Sequence, residues 1–219
     1  MKRLLSPLLF VAIAMFAVAP VLIEQAPYES TMGLVQKIFY FHVPSAMVMF
    51  VSAFVCGLAS AAYLFGNRRS ADYLAAAAGE LTVVFGLIVL VTGPMWARKA
   101  WGVWWEWDAR LTSSLLLELI FVAYLLVRKY GGPGSEKLAA AMALFGMANV
   151  PFVYVSVNLW RTMHPKTTVV MTLASGMRLP FWFSVGAFVI LYLALVTIRT
   201  LLGRARAELE RAYLDLEEE

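Results

Sequence analysis

The stretch Ser45–Phe65, SAMVMFVSAFVCGLASAAYLF, carries neither a charged residue nor a proline. As a helix rising 1.5 Å per residue it is long enough to cross the roughly 30 Å hydrocarbon core of a bilayer. Five further apolar stretches lie on either side of it: Leu4–Ile23, Tyr73–Thr92, Ser114–Val127, Leu138–Val157 and Phe181–Leu202. The Ser114 stretch is short for a span unless it begins inside the preceding loop, and Thr168–Met177 is too short to span and reads as an interfacial segment. The whole chain is 62% apolar and 15% charged, against about 25% charge in a typical soluble domain. These figures exclude a soluble enzyme, a nucleic-acid binder and a disordered adaptor. They predict an all-α integral membrane protein, a six-transmembrane-helix bundle forming one domain over residues 1–219, with 202–219 as a charged cytoplasmic tail.

The first stretch has the outline of a signal peptide, with Lys2-Arg3, an apolar run and Ala17-Val18-Ala19. Pro20 directly after that triplet is poor cleavage chemistry and the apolar run continues to Ile23, so an uncleaved anchor is expected. The N-terminus, the 66–72 and 128–137 loops and the tail hold 11 Lys and Arg, against 7 in the other three loops. That excess predicts cytoplasmic termini, and the net charge of +4 reports orientation rather than an acidic partner. With six spans, the loops after spans one, three and five share one face, the periplasmic one. Those loops hold both histidines and the main tryptophan cluster. The lone Cys56 reads as a small buried hydrophobe, and no cysteine pair or CxxCH is present.

The stretch Pro94–Ser113, PMWARKAWGVWWEWDARLTS, reads as a loop that gathers five of the seven tryptophans: Trp96, Trp101, Trp104, Trp105 and Trp107. One reading is an aromatic belt at the membrane surface. Belts scatter one or two tryptophans per helix end, whereas this loop concentrates them. The sharper reading is therefore a platform for a large, flat, apolar ligand, because indoles offer broad rigid faces with one polar handle each. Gly102 allows close backbone approach. Asp108 and Arg110 either pair to fix the loop or offer a cation to an anionic ligand group. A single interfacial histidine is more often structural, but His42 and His164 are the only two and flank the platform on one face. Two imidazoles do not close a zinc site. They do complete the coordination of an iron already held by a porphyrin, which makes haem the ligand that uses both features.

The segment Trp101-Gly102-Val103-Trp104-Trp105-Glu106-Trp107-Asp108-Ala109-Arg110-Leu111-Thr112 resembles the tryptophan-rich signature of the haem-handling membrane proteins of cytochrome c biogenesis. Phe41-His42-Val43-Pro44 and Ser156–His164 resemble the flanking histidine segments of one branch, the haem exporter protein C family, whose length and six spans also agree. The resemblance runs from about residue 36 into the last span. It implies transiently bound haem b at the periplasmic face of the inner membrane, with His42 and His164 as axial ligands. It also implies that Trp101, Gly102, Trp104, Trp105, Trp107 and Asp108 form the platform. The partners it implies are a periplasmic haem chaperone, ABC transporter subunits and a small single-span subunit, in a lipid setting without nucleic acid. Among Arg98, Lys99, Arg110, Arg161 and Arg178, Arg110 is the favoured propionate partner because its place beside the platform fixes its distance.

No nucleophile or acid–base pair stands beside the histidines, so the chain reads as a haem-transfer protein rather than an enzyme. Glu80 and Glu118 lie within spans, where ionisable groups are costly. They are expected to be structural, and as coupling groups they would instead support a secondary transporter. A cofactor-free structural subunit is the third reading. Leu202, Leu209 and Leu216 recur every seven residues, yet a solvated tail is expected, with a fraying end because its charges oppose the helix dipole.

Overall fold

The computed structural model describes residues 2–217. Six helices follow one another: α1 (Lys2–Gln25), α2 (Phe39–Gly66), α3 (Arg69–Trp101), α4 (Ala109–Tyr130), α5 (Ser135–Leu159) and α6 (Ser175–Glu217). Short 3-10 turns at Leu34–Ile38 and Thr167–Val170 precede α2 and α6. All six helices are long and apolar enough to span a membrane. The fourth begins inside the preceding loop, as its length requires.

Within a bilayer each backbone polar group must be satisfied internally, and side-chain hydroxyls follow the same rule here. Ser45, Thr82, Thr92, Ser113, Ser184 and Thr200 each donate to the carbonyl one turn earlier on their own helix. The core is built from α2 to α6 around Met49, Ala53, Cys56, Ala78, Phe85, Leu117, Phe121, Tyr124, Ala143 and Phe188. Small residues let the backbones approach, as lipid-embedded packing demands. A Cβ at Gly146 would lie 2.7 Å from the Phe121 ring, and one at Gly79 would collide with Tyr124.

One end of the bundle is locked by charge. Arg128 at the end of α4 clasps Asp72 at the start of α3 with two bonds of 2.6 and 2.8 Å. Arg199 of α6 pairs with Glu80 of α3. At the opposite end a second cluster, including Ile23, Phe39, Tyr40, Leu173 and Phe181, fastens α1, α2 and α6 together.

One segment differs from the sequence reading. Pro94–Trp101 is not loop but the last turns of α3, because Arg98 and Lys99 sit where a helix C-terminus favours cations. Only Gly102–Asp108 is left outside the helices there. Residues 202–217 continue α6 as helix with largely exposed side chains. Thr168–Met177, too short to span as expected, holds most of the second 3-10 turn, four residues outside any helix and the start of α6. For the packing, Gly79→Val is expected to lower the thermal unfolding midpoint in mild detergent, at an overpacking cost of about 1–3 kcal/mol. Gly66→Ala, at the exposed end of α2, should leave it unchanged. Equal midpoints for the two variants would contradict the close α3–α4 contact.

Candidate functional site

The end opposite the Asp72–Arg128 clasp holds a largely apolar cavity onto which both histidines open. Its empty volume is about 1080 Å³ counted out to the solvent at its mouth. His42, Trp96, Trp101, Trp105, Arg110 and His164 line it, with Phe39, Met49, Leu111 and Leu173 supplying further apolar wall.

His42 stands in the first turn of α2, half-buried against α3. Its Nδ1 lies 2.9 Å from Thr92 Oγ1. The Thr92 hydroxyl has one proton, which it donates to Ile88 O at 2.6 Å, so it can only accept from the imidazole. His42 therefore carries its proton on Nδ1 and keeps the Nε2 lone pair free. Gly93 gives the ring its room, since a Cβ there would stand 3.2 Å from His42 Cε1.

His164 reaches the same state by another route. Its Nδ1 lies 2.9 Å from the carbonyl oxygen of Pro165, which can only accept, so Nε2 is again the free nitrogen. Burial, and next the nearby Arg110 guanidinium, push the His164 imidazole down to about 4, which keeps it neutral near pH 7. Neutral imidazole is the metal-ligating form. Among the described residues no cluster of three or more His, Cys, Asp or Glu that could hold a metal ion is present.

The tryptophans divide into two groups. Trp96 and Trp101, on the last turns of α3, meet edge to face at 5.6 Å and line the cavity with Trp105. Trp96 Nε1 donates to Gln36 at 3.4 Å, whereas Trp105 Nε1 is buried without a partner among the described residues. Trp104 and Trp107 face outward and are 58% and 75% exposed. Gly102 does not line the cavity. It closes α3 with φ of 79°, a left-handed conformation suited to glycine, and its carbonyl accepts from Arg98.

Asp108 also lies off the cavity wall, where it joins three segments. Oδ1 caps α4 by accepting from Leu111 N at 2.8 Å. Oδ2 accepts from Thr162 Oγ1 and from Met163 N at 3.2 Å. One carboxylate thus holds the tryptophan loop, the start of α4 and the His164 segment in register. Arg110 faces the cavity from the first turn of α4 and donates to Val153 O at 2.6 Å. Among the described residues it has no carboxylate partner within ion-pair distance and is the one cation on the cavity wall. Arg98 and Arg178 are turned to backbone carbonyls instead.

Sequence reasoning did not single out Thr92, Gly93, Gln36 or Thr162. Aspartate just before a helix is a local capping signal, but the partners Thr92 and Thr162 depend on how distant segments meet. Of the two intramembrane acids, Glu80 is ion-paired, and Glu118 lies 3% exposed against Gly86 with no hydrogen-bond partner among the described residues.

Fold and cavity together define a six-span membrane protein with a histidine- and tryptophan-lined pocket at one end of its bundle. A family model described as heme exporter protein C matches residues 1–214. The heme exporter protein C of Bradyrhizobium diazoefficiens is 34% identical to this chain, over 78% of it and 67% of the relative. That of Escherichia coli K12 is 32% identical over 80% and 72%, and that of Paracoccus denitrificans 31% identical over 86% and 79%. The chain belongs to the heme exporter protein C family.

The Asp108 joint has a direct consequence. Asp108→Ala is expected to raise tryptic cleavage after exposed Arg161 several-fold relative to cleavage after Arg206 in the tail, read by mass spectrometry of detergent-solubilised protein. An unchanged ratio would show that the carboxylate does not hold the segment.

Proposed function

We propose that this protein binds haem as cargo in the cavity between His42 and His164 and passes it to a periplasmic haem chaperone for c-type cytochrome maturation. The observation that carries the reading is the matched state of the two histidines. Each Nδ1–H is committed to an oxygen acceptor, which leaves Nε2 free on two side chains that line the same apolar space. Hydrogen bonding at the far nitrogen orients a ligating imidazole and raises its basicity.

The remaining wall suits a porphyrin. Trp101, Trp105 and Trp96 give flat apolar surface, and Arg110 gives one cation without a carboxylate partner, appropriate for a propionate. Gly102 and Asp108 contribute by shaping and holding the loop. Trp104 and Trp107, exposed beside the mouth, suit contact with the receiving chaperone. Haem iron supplies the two coordination positions that neutral imidazoles fill, and every other contact is made by these side chains.

Membership in the family supports haem handling in a maturation complex, for which ABC transporter subunits and a small single-span subunit are the expected companions. The excess of Lys and Arg in the even-numbered loops and termini supports cytoplasmic termini and a periplasmic cavity in a bacterial inner membrane. The role is carriage rather than catalysis. Glu80, tied to Arg199, gives little support to a proton-coupled transporter.

Absorption spectra of the purified protein with added haemin test the reading. The unaltered protein should give a low-spin, six-coordinate spectrum, and His42→Ala and His164→Ala should each abolish or change it. Arg110→Gln should weaken haem retention about tenfold, the scale of one charge-assisted bond, with the low-spin bands retained. A spectrum indifferent to both histidine changes would sink the assignment.

A further inference from the structure

The two histidines are held by different means, and the difference gives an order of release. His42 is part of a 28-residue helix, hydrogen-bonded to Thr92 on α3 and seated over Gly93. α2 and α3 are the most extensively packed helix pair of the bundle. Withdrawing His42 would require these helices to separate or unwind.

His164 belongs to the connection between Leu159 and Ser175, which holds a single 3-10 turn. Its Nδ1 partner is the carbonyl of the next residue, a bond that travels with the loop and anchors it to nothing. Its neighbours Arg161, Met163 and Lys166 are exposed. Two further links bind the outer part of this connection elsewhere: the Asp108 carboxylate to Thr162 and Met163 N, and an exposed Asn158–Thr167 bond at 3.2 Å. Thr162 and Met163 immediately precede His164, so the Asp108 bonds act as its latch.

Resting on the haem reading above, we infer that His164 is the axial ligand that lets go first, and that the Asp108–Thr162 latch sets how readily it does so. The iron position that His164 vacates is open to an incoming ligand from the side where Trp104, Trp107, Trp160 and Met163 are exposed. His42 keeps the haem seated until that exchange is complete. Thr162 is a positioning residue. It acts through the loop and does not line the cavity.

The test uses carbon monoxide as the incoming ligand, because it binds ferrous haem only after an axial ligand has dissociated. Haem-loaded full-length protein, reduced with dithionite, is mixed with carbon monoxide and the absorbance change is timed. Haem content and the six-coordinate spectrum are measured first, so failure of the haem reading would be seen there, independently of the exchange rates. Thr162→Ala should accelerate binding about tenfold, the effect of about 1.4 kcal/mol, and Thr162→Ser should restore the original rate. Thr92→Val, on the other histidine, should accelerate binding less than Thr162→Ala does, because helix packing still holds His42. Should Thr162→Ala retain no haem, Asp108→Asn takes its place, keeping the helix cap while weakening the latch. Acceleration by Thr92→Val with none from the latch variants would show that His42 leaves first. Equal rates throughout would show that no latch controls release. Either result overturns the inference.

Discussion

The Asp108 carboxylate is the joint on which the site depends. Its two oxygens serve three backbone or hydroxyl donors drawn from α4 and from the segment that follows α5. Charge-assisted bonds of this kind are about twice as strong as neutral ones. Here they hold together pieces more than fifty residues apart in sequence. Without them, the tryptophan loop and the His164 segment would be two separate connections at the end of a bundle, with no fixed relation to His42. With them, the cavity gains its second histidine.

The bundle supplies the other half of the geometry. Lipid leaves the backbone no alternative to helix, and the small residues of α2 and α3 bring those helices close enough for Thr92 to reach His42. Charge locks the far end through Asp72 and Arg128, leaving the cavity end free of competing ion pairs around Arg110. A single guanidinium without a carboxylate partner among the described residues, in a pocket lined by indoles and two imidazoles, is the wall on which the proposed haem binding rests.

Much of this was legible in the sequence, for identifiable reasons. Long uncharged runs such as Ser45–Phe65 define spans by composition alone, and an even number of spans puts His42, the tryptophan cluster and His164 at the same end. The limits of the helices were less legible. Pro94, Arg98 and Lys99 look like loop residues, yet at a membrane surface two lysine or arginine side chains reach water while completing a helix C-terminus, and α3 runs on to Trp101. The division of the tryptophans into three that line the cavity and two that face outward follows from where Gly102 ends that helix. Asp108 read as a partner for Arg110 or as platform because neighbours in sequence are the easiest partners to imagine. Its partners Thr162 and Met163, like the pairing of His42 with Thr92, come from the meeting of distant segments, which no local period encodes.

The central claim is that both histidines present Nε2 to one iron. The chain has only two histidines, so selective labelling with ¹⁵N-histidine marks His42 and His164 and nothing else. Pulsed electron paramagnetic resonance of the labelled protein loaded with ferric haem reads the nitrogen couplings to iron directly. Two strongly coupled imidazole nitrogens, falling to one in His42→Ala and to one in His164→Ala, is the result the account predicts. Couplings from a single imidazole in the unaltered protein, or from none, would contradict it.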